Sequence, residues 1–164
     1  MSTKTTRRYW LFKSEPEVFS IEDLAKALQQ TTFWDGVRNY QARNMLRDEV
    51  RVGDGVLFYH SNAEPLAIVG EARVVRGGYP DHTAWDPKSA HPDLKSTAEN
   101  PVWYMVDIKL VTQFARPVER TTLAQTKGLE KMMLLQRGSR LSIQPVTVEE
   151  WRTVLKLAGI EERG

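Results

Sequence analysis

The chain has 164 residues, of which 41% are hydrophobic, and its formal net charge is +2. This is enough for one globular domain with one core, and so small a net charge does not by itself indicate a nucleic-acid-binding protein. The lack of cysteine excludes disulfides, thiolate metal sites and a cysteine nucleophile. No long apolar run occurs, so we expect no signal peptide or membrane span and favour an intracellular protein.

The N-terminal third predicts one strand and two helices. The apolar run 9–13 is typical of a buried strand. Ser20 begins an S-x-x-D sequence, which resembles a capping box and predicts a helix over 21–29. A second helix is expected over 39–48, where the first residue, an asparagine, is a good N-cap and the apolar side chains recur at helical spacing.

The central part predicts antiparallel strands and a long loop. The apolar runs 56–60 and 67–76 are separated by a short polar turn and predict a strand pair. The segment 77–101 is rich in Pro, Gly, Asp and His and predicts a loop, and loops of this length are usually functional or disordered. The run 102–114 has the alternation of a strand.

The C-terminal third predicts short elements and one clear helix. Two helical stretches are expected near 122–125 and 128–135, followed by a short strand near 141–143. The capping box T-V-E-E at 147–150 begins the last helix, and Gly159 ends it. Strands separated by short helices, with mainly antiparallel pairing, predict an α+β domain or a small, partly open barrel.

The segment 34–44, W-D-G-V-R-N-Y-Q-A-R-N, is the most informative part of the sequence. Aromatic rings stack on planar ligands, asparagine matches the edge of a nucleobase, and arginine binds phosphate through two N–H groups. The composition therefore suits a nucleotide. A single tryptophan is more often a core residue than part of a ligand cage, but the neighbouring Asn and Arg side chains make the two roles equally consistent for Trp34. As a cage residue it would be partly exposed.

Two other segments carry polar side chains that can bind a ligand. Tyr59, His60 and Ser61 end a predicted strand, where adjacent side chains point to opposite faces, so His60 and Ser61 cannot form a nucleophile–base pair. They are either structural residues or hydrogen-bonding partners of a ligand. The loop 136–142 combines cations, glycine and hydroxyls, which suits either phosphate binding or ordinary solvated surface.

Metal or cofactor chemistry is not indicated. His82 and His91 lie among aspartates in the long loop, but their spacing matches no zinc or calcium motif. Neither a P-loop nor a dinucleotide-binding motif is present. We therefore expect no metal and no cofactor.

Several segments, in this order, together resemble the EVE domain family. They are 9–16 (YWLFKSEP), 34–44, 53–54 with 58–61, 79–81 and 137–142. The resemblance implies a PUA-like fold, which is a compact curved β-sheet or pseudo-barrel with flanking short helices, as one domain over 9–160. It also implies kinship with YTH domains, which read a methylated base in an aromatic cage. The polar residues 1–8 are expected to form a disordered tail.

The resemblance and the residue chemistry together imply a base pocket and a set of phosphate contacts. The pocket residues would be Lys13, Ser14, Glu15, Trp34, Asn39, Tyr40, Tyr59, His60 and Ser61. The phosphate contacts would be Arg38, Arg43, Arg137, Ser139 and Arg140. No motif identifies a second aromatic wall, for which Trp85 and Trp103 are candidates.

We therefore expect a non-enzymatic protein that binds a modified base in DNA or RNA. One alternative is an enzyme acting on a nucleotide or modified base, with Glu15 and His60 as acid and base. Mass analysis of treated oligonucleotides would separate these two functions. Another alternative is a small-molecule or protein-interaction module, which failure to bind nucleic acid at low salt would favour.

Because the chain lacks the long basic extension of the nuclear eukaryotic members, we expect a bacterial-type, cytoplasmic protein, or a nuclear one if it is eukaryotic.

Overall fold

The computed structural model describes residues 6–138 and 140–160, which form a six-stranded mixed sheet with helices on both faces. The strands are β1 (Tyr9–Ser14), β2 (Thr31–Phe33), β3 (Gly55–His60), β4 (Ala67–Pro80), β5 (Tyr104–Glu119) and β6 (Ile143–Val146). The α-helices of the described chain are α1 (Ile21–Lys26), α2 (Tyr40–Asp48), α3 (Arg120–Ala124) and α4 (Val148–Leu157). Short 3-10 turns occur at Leu28–Gln30, His82–Trp85 and Met133–Leu135.

The strand order is β2-β5-β4-β3-β1-β6. β1 pairs with β3 in parallel, and the other pairs are antiparallel. A parallel pair needs a long crossover, and α1, β2 and α2 lie within it. The register between β4 and β5 shifts at four places, and such irregularities bend a sheet. The sheet is open, with β2 and β6 as its edges.

The strand β1 contributes buried side chains to both faces of the sheet. Trp10 and Phe12 belong to one core, which also contains residues of α1 and α2. Leu11 belongs to a second core with Leu123 of α3 and Trp151 of α4. Because side chains alternate along a strand, these two cores lie on opposite faces of the sheet.

The predicted helix starts are confirmed by their hydrogen bonds. The Asp23 N–H donates to Ser20 Oγ at 3.1 Å and the Ser20 N–H donates to Asp23 Oδ2 at 2.8 Å, which completes the capping box of α1. The N-cap of α2 is Asn39, and α4 begins with the predicted capping box. However, α1 ends at Lys26 instead of residue 29, because the backbone of Ala27 is extended. The chain then passes through a 3-10 turn to β2, which was not predicted.

The predicted loop 77–101 is partly wrong. The strand β4 continues to Pro80, where it pairs with Tyr104 at the start of β5. The part of the predicted loop after Pro80 is held by local hydrogen bonds, including one of 2.7 Å from Trp103 Nε1 to Asp93 Oδ2. The long connection is therefore an ordered part of the domain, and Asp81 within it is completely buried.

The N-terminal residues that the structure describes contact the domain. The Arg8 N–H donates to Asp54 Oδ1 at 3.1 Å, and the Arg7 guanidinium lies 5.1 Å from the ring centroid of Tyr9. These two arginines therefore contact β1 and the turn that precedes β3, and the disordered tail over 1–8 stays a prediction. Residues 1–5 lie outside the described part of the chain.

Over the described ranges, no helix has both the length and the apolarity required to cross a membrane.

Candidate nucleic-acid interface

The segment 34–38, between β2 and α2, is anchored by the buried carboxylate of Asp81. Asp81 Oδ2 accepts hydrogen bonds of 2.9 Å from the Gly36 N–H and from Arg38 Nη1, and Oδ1 accepts from the Thr83 N–H at 2.9 Å. Burial alone would raise the pKa of Asp81, but the hydrogen bonds from Thr83, Gly36 and Arg38 outweigh it and hold the pKa below its usual range. The segment is thereby held by a residue far from it in sequence.

Arg38 connects the same segment to the long loop. Its Nε and Nη2 donate to the carbonyl oxygen of His91 at 3.2 and 2.7 Å, and Nη1 also donates to the Val37 carbonyl at 3.1 Å. Each guanidinium nitrogen is therefore engaged within the protein. Arg38 was predicted to bind phosphate, and in the structure its guanidinium holds the 34–38 segment against the long loop.

Gly36 allows the imidazole of His91 to approach the backbone of the 34–38 segment. Gly36 has φ +78°, and a Cβ added there would lie 2.6 Å from His91 Cδ2. An L-residue is unfavourable in this conformation, and it would also displace the imidazole. Glycine is thus required for two independent reasons.

A cavity of about 660 Å³, here called the β1–β2 cavity, lies beside this segment. Its lining comes from the end of β1, from residues 15–19, from the end of β2 with the 34–38 segment, and from His91 and Ser142. Val18 and Phe33 in this lining are 66% and 44% exposed, so the cavity opens to solvent. The volume is in the range typical of small-ligand sites.

Trp34 lines this cavity but is mainly a core residue. It is only 7% exposed, and its ring centroid lies 5.3 Å from that of Phe12 and 5.4 Å from that of Phe58. Phe19 contacts it edge-on at 6.5 Å. The expectation of a partly exposed cage residue is therefore wrong, because the Trp34 side chain packs against Phe12 and Phe58 of the sheet and against Phe19.

Neither candidate for the second aromatic wall lines the cavity. Trp103 is buried beneath Tyr40, with ring centroids 4.9 Å apart and planes tilted by 28°. Trp85 ends a 3-10 turn outside the lining. The aromatic side chains that line the cavity beside Trp34 are Phe19, Phe33 and the imidazole of His91.

Five of the predicted binding residues do line the cavity, namely Lys13, Ser14, Glu15, Trp34 and Arg38. Ser14 Oγ donates to the Phe19 carbonyl at 2.6 Å, which leaves the hydroxyl lone pairs able to accept from a ligand. Glu15 Oε1 accepts from Asn62 Nδ2 at 3.4 Å. Burial lowers the pKa of Lys13, and the nearby charge of Arg120 lowers it further.

Three predicted residues at the start of α2 have other roles. Asn39 Oδ1 accepts from the Ala42 N–H at 3.0 Å as the helix cap. Tyr40 is 61% exposed and stacks on Trp103, outside the cavity lining. Arg43 Nη1 donates to the Val102 carbonyl at 2.6 Å. The placement of Asn39 and Tyr40 in the base pocket does not agree with this geometry, because they lie beyond the last cavity-lining residue of the segment.

The three residues at the end of β3 also lie outside the cavity lining. Tyr59 is buried in the second core, on the opposite face of the sheet from Trp34, and this burial raises its pKa. His60 Nε2 accepts from the Ile21 N–H at 3.1 Å, at the start of α1. The Ser61 N–H donates to the Ser14 carbonyl at 3.0 Å. His60 therefore connects β3 to α1, Ser61 connects the end of β3 to β1, and none of the three lines the cavity.

The predicted phosphate-binding loop ends at the cavity. Arg137 and Arg140 are exposed, and Ser142, which follows them, lines the cavity. The Ser142 carbonyl accepts from the Lys13 N–H at 2.9 Å. Ser139 lies outside the described residues. Phosphate binding by this loop remains a prediction.

Several side chains of the cavity were not among the predicted binding residues, including Phe19, Phe33, Asp35 and His91. Of these, Asp35 lies within the segment 34–44, and this position was the one sequence signal that could have identified it as a binding residue.

Across residues 6–138 and 140–160, no group of three or more histidine or carboxylate side chains is arranged to hold a metal ion.

Comparison with known proteins identifies the family. Residues 8–157 match the EVE domain model. Thymocyte nuclear protein 1 of Gallus gallus is 45% identical over 172 residues, which cover 94% of this chain and 70% of that protein. A Pseudomonas syringae protein solved by X-ray crystallography is 47% identical, with a TM-score of 0.86 and coverage of 92% of this chain and 99% of that chain.

A crystal structure of human THYN1 protein in complex with 5-methylcytosine-containing DNA is also similar. It is 43% identical and has a TM-score of 0.85, and the alignment covers 94% of this chain and 99% of that chain. These similarities extend over nearly the whole sheet and its helices, and they confirm the predicted PUA-like α+β fold. The chain belongs to the EVE domain family.

Proposed function

We propose that this protein binds DNA carrying a modified cytosine and that the β1–β2 cavity receives the base. The observation that carries the proposal is an open cavity with aromatic walls in a chain whose human relative has been crystallised with 5-methylcytosine DNA. The proposal assigns the cavity a binding role and no covalent step. RNA is a second polymer to be compared in the same assay.

The cavity has the shape and chemistry of a base site. Phe19, Phe33 and Trp34 supply apolar and aromatic surface, on which a planar ring stacks. Ser14 supplies a hydrogen-bond acceptor at the end of β1. Because Phe33 is substantially exposed, a base can reach its ring without unfolding of the core.

Phosphate contacts would come from the exposed loop that precedes Ser142. Arg137 and Arg140 are on the same stretch of chain as this cavity-lining residue. Extruding a base from a duplex costs a few kcal/mol, and one stacked base returns about 1–3 kcal/mol. Single strands or weakened pairs should therefore bind better than intact duplexes, unless the phosphate contacts supply the difference.

The base is expected to leave the cavity unchanged. In the enzymatic alternative, Glu15 and His60 act together, but His60 does not line the cavity, and its Nε2 is engaged by the start of α1. Incubation with 5-methylcytosine oligonucleotides followed by mass analysis should return the starting mass. A changed mass would instead support the enzymatic alternative.

The test of the proposal is a direct comparison of matched oligonucleotides. Single strands that differ at one central position, 5-methylcytosine or cytosine, would be titrated at one fixed salt concentration. Burial of the methyl group alone is worth about 0.8 kcal/mol, and displacement of ordered water can add to it. We expect a preference near tenfold, or about 1.4 kcal/mol. Equal affinities for the two strands, in DNA and in RNA, would contradict the proposal.

A further inference from the structure

Asp35 is an acceptor in the cavity that the protein itself does not use. It lies between Trp34 and Gly36, is partly buried, and contributes to the cavity lining. Within residues 6–138 and 140–160, no hydrogen bond or ion pair engages its carboxylate. By contrast, the carboxylates of Asp81 and Glu15 have partners in the protein.

The backbone on both sides of Asp35 is held in place. The Trp34 N–H donates to the Val106 carbonyl at 2.7 Å, and the Gly36 N–H donates to Asp81 Oδ2 at 2.9 Å. These two bonds limit the movement of the residue between them. The backbone of Asp35 is therefore positioned before a ligand arrives, which reduces the entropy lost on binding.

The proposed function raises a selectivity problem that aromatic walls do not solve. Thymine carries the same methyl group at C5 as 5-methylcytosine, so stacking and methyl burial treat the two bases alike. They differ at position 4, where cytosine has an amino group that donates and thymine has a carbonyl oxygen that accepts. A group facing position 4 that only accepts hydrogen bonds separates them, and a carboxylate is such a group.

We propose that Asp35 determines specificity by accepting a hydrogen bond from the 4-amino group of a modified cytosine and by repelling the O4 atom of thymine. This inference rests on the proposed function of the cavity. Ser14 is a weaker candidate because a hydroxyl can either donate or accept. Arg38 would favour thymine, but its guanidinium nitrogens already donate to Asp81, Val37 and His91.

The experiment compares the parent protein with Asp35→Asn, which keeps the size of the side chain. Single strands with 5-methylcytosine, cytosine or thymine at one position would be titrated at fixed salt. We expect the parent to favour 5-methylcytosine over thymine by about tenfold or more. The variant should favour it by less than about threefold, because an amide can rotate to present either its oxygen or its NH₂ group.

Glu17→Gln is the matched control. Glu17 is exposed and lies near the cavity but does not line it, and the substitution removes the same charge. Glu17→Gln should bind all strands somewhat more tightly, because one negative charge that repels phosphate is lost. Only Asp35→Asn should change the ratio of the two affinities. Asp35→Ala, which has no polar side-chain atom, should also lower this ratio, and circular dichroism would verify the fold of each variant.

The outcomes separate this inference from the proposed function. An unchanged ratio in folded Asp35→Asn or Asp35→Ala would overturn the role of Asp35. A parent protein that prefers 5-methylcytosine to cytosine, yet binds thymine equally well, would overturn it and leave the proposed function in place. A parent protein without any preference for 5-methylcytosine over cytosine would contradict both the proposed function and the role of Asp35.

Discussion

Gly36 shows how a single residue can determine the shape of the cavity. A Gly36→Ala substitution would place an L-residue at φ +78° and a Cβ at 2.6 Å from the His91 ring. We expect a loss of about 1–3 kcal/mol in the free energy of unfolding, together with weaker binding of 5-methylcytosine strands. Urea denaturation and oligonucleotide titration would measure the two effects.

Gly128→Ala is the control for this substitution. Gly128 also has a positive φ, of +100°, but no atom lies within 4 Å of an added Cβ. It should therefore show the cost of backbone strain without the steric clash. If the two variants lose the same stability and bind equally well, the contact between Gly36 and His91 contributes nothing.

Phe33 tests the base site more directly than Trp34, because its removal leaves the core intact. Phe33→Ala should weaken binding of single strands by about 1–3 kcal/mol, the contribution of one stacked base, with little change in thermal stability. Tyr40→Ala removes an exposed ring outside the cavity lining and should bind nearly as well as the parent. Titration and thermal melting would be compared for both. A larger binding loss in Tyr40→Ala would place the base on the outer face of α2.

At the scale of elements, the start of α1 is expected to make stability depend on pH. His60 Nε2 accepts from the Ile21 N–H, and a protonated imidazole cannot accept this bond. Burial lowers the pKa of His60, although Glu22 acts in the opposite direction. The unfolded chain therefore binds a proton at higher pH than the folded one, and its ordinary pKa is about 6.5. Stability should be complete above this value and fall as pH decreases toward the lower folded pKa.

Urea denaturation between pH 5 and 8 would measure this dependence, with His60→Gln as the comparison. Glutamine supplies an acceptor that does not titrate, so the variant should show a smaller loss of stability as the pH falls. His82 and His91 remain in both proteins, and the difference between the two curves isolates His60. Identical pH dependence in the parent and the variant would show that protonation of His60 does not affect the stability of the fold.

At the scale of the whole molecule, the positions of charges matter more than the net charge of +2. Replacing Arg137 and Arg140 by alanine should weaken binding to all strands alike, because phosphate contacts position a nucleic acid without specifying its sequence. For a single strand, the slope of log affinity against log salt should become shallower by about 0.7 for each phosphate that is no longer neutralised.

Lys156→Ala is the control for charge, since Lys156 is exposed on α4, which packs against the opposite face of the sheet from the cavity. It should leave the salt slope nearly unchanged. Titrations at several salt concentrations would test this. A selective loss for 5-methylcytosine, with an unchanged salt slope, would place the two arginines in the base site instead of on the backbone.

Features that depend on neighbouring residues were predictable from the sequence alone. The caps of α1, α2 and α4 could be identified because a cap is a hydrogen bond across three residues. The main strands followed from apolar runs and, for β5, from alternation, and the family followed from the order of its motifs. The extra strand β2 was missed, because three residues carry too little periodicity to be detected.

The set of residues that forms the cavity, in contrast, depends on the tertiary structure. Asp81 and His91 anchor the 34–38 segment from a distant part of the chain, and no local pattern reports such a contact. His60 contacts the start of α1, and Tyr59 lies on the other face of the sheet, although both were predicted from the sequence to line the base pocket. The physical reason is that local hydrogen bonds and periodicity arise within a few residues, whereas a cavity arises from the packing of segments that are far apart along the chain.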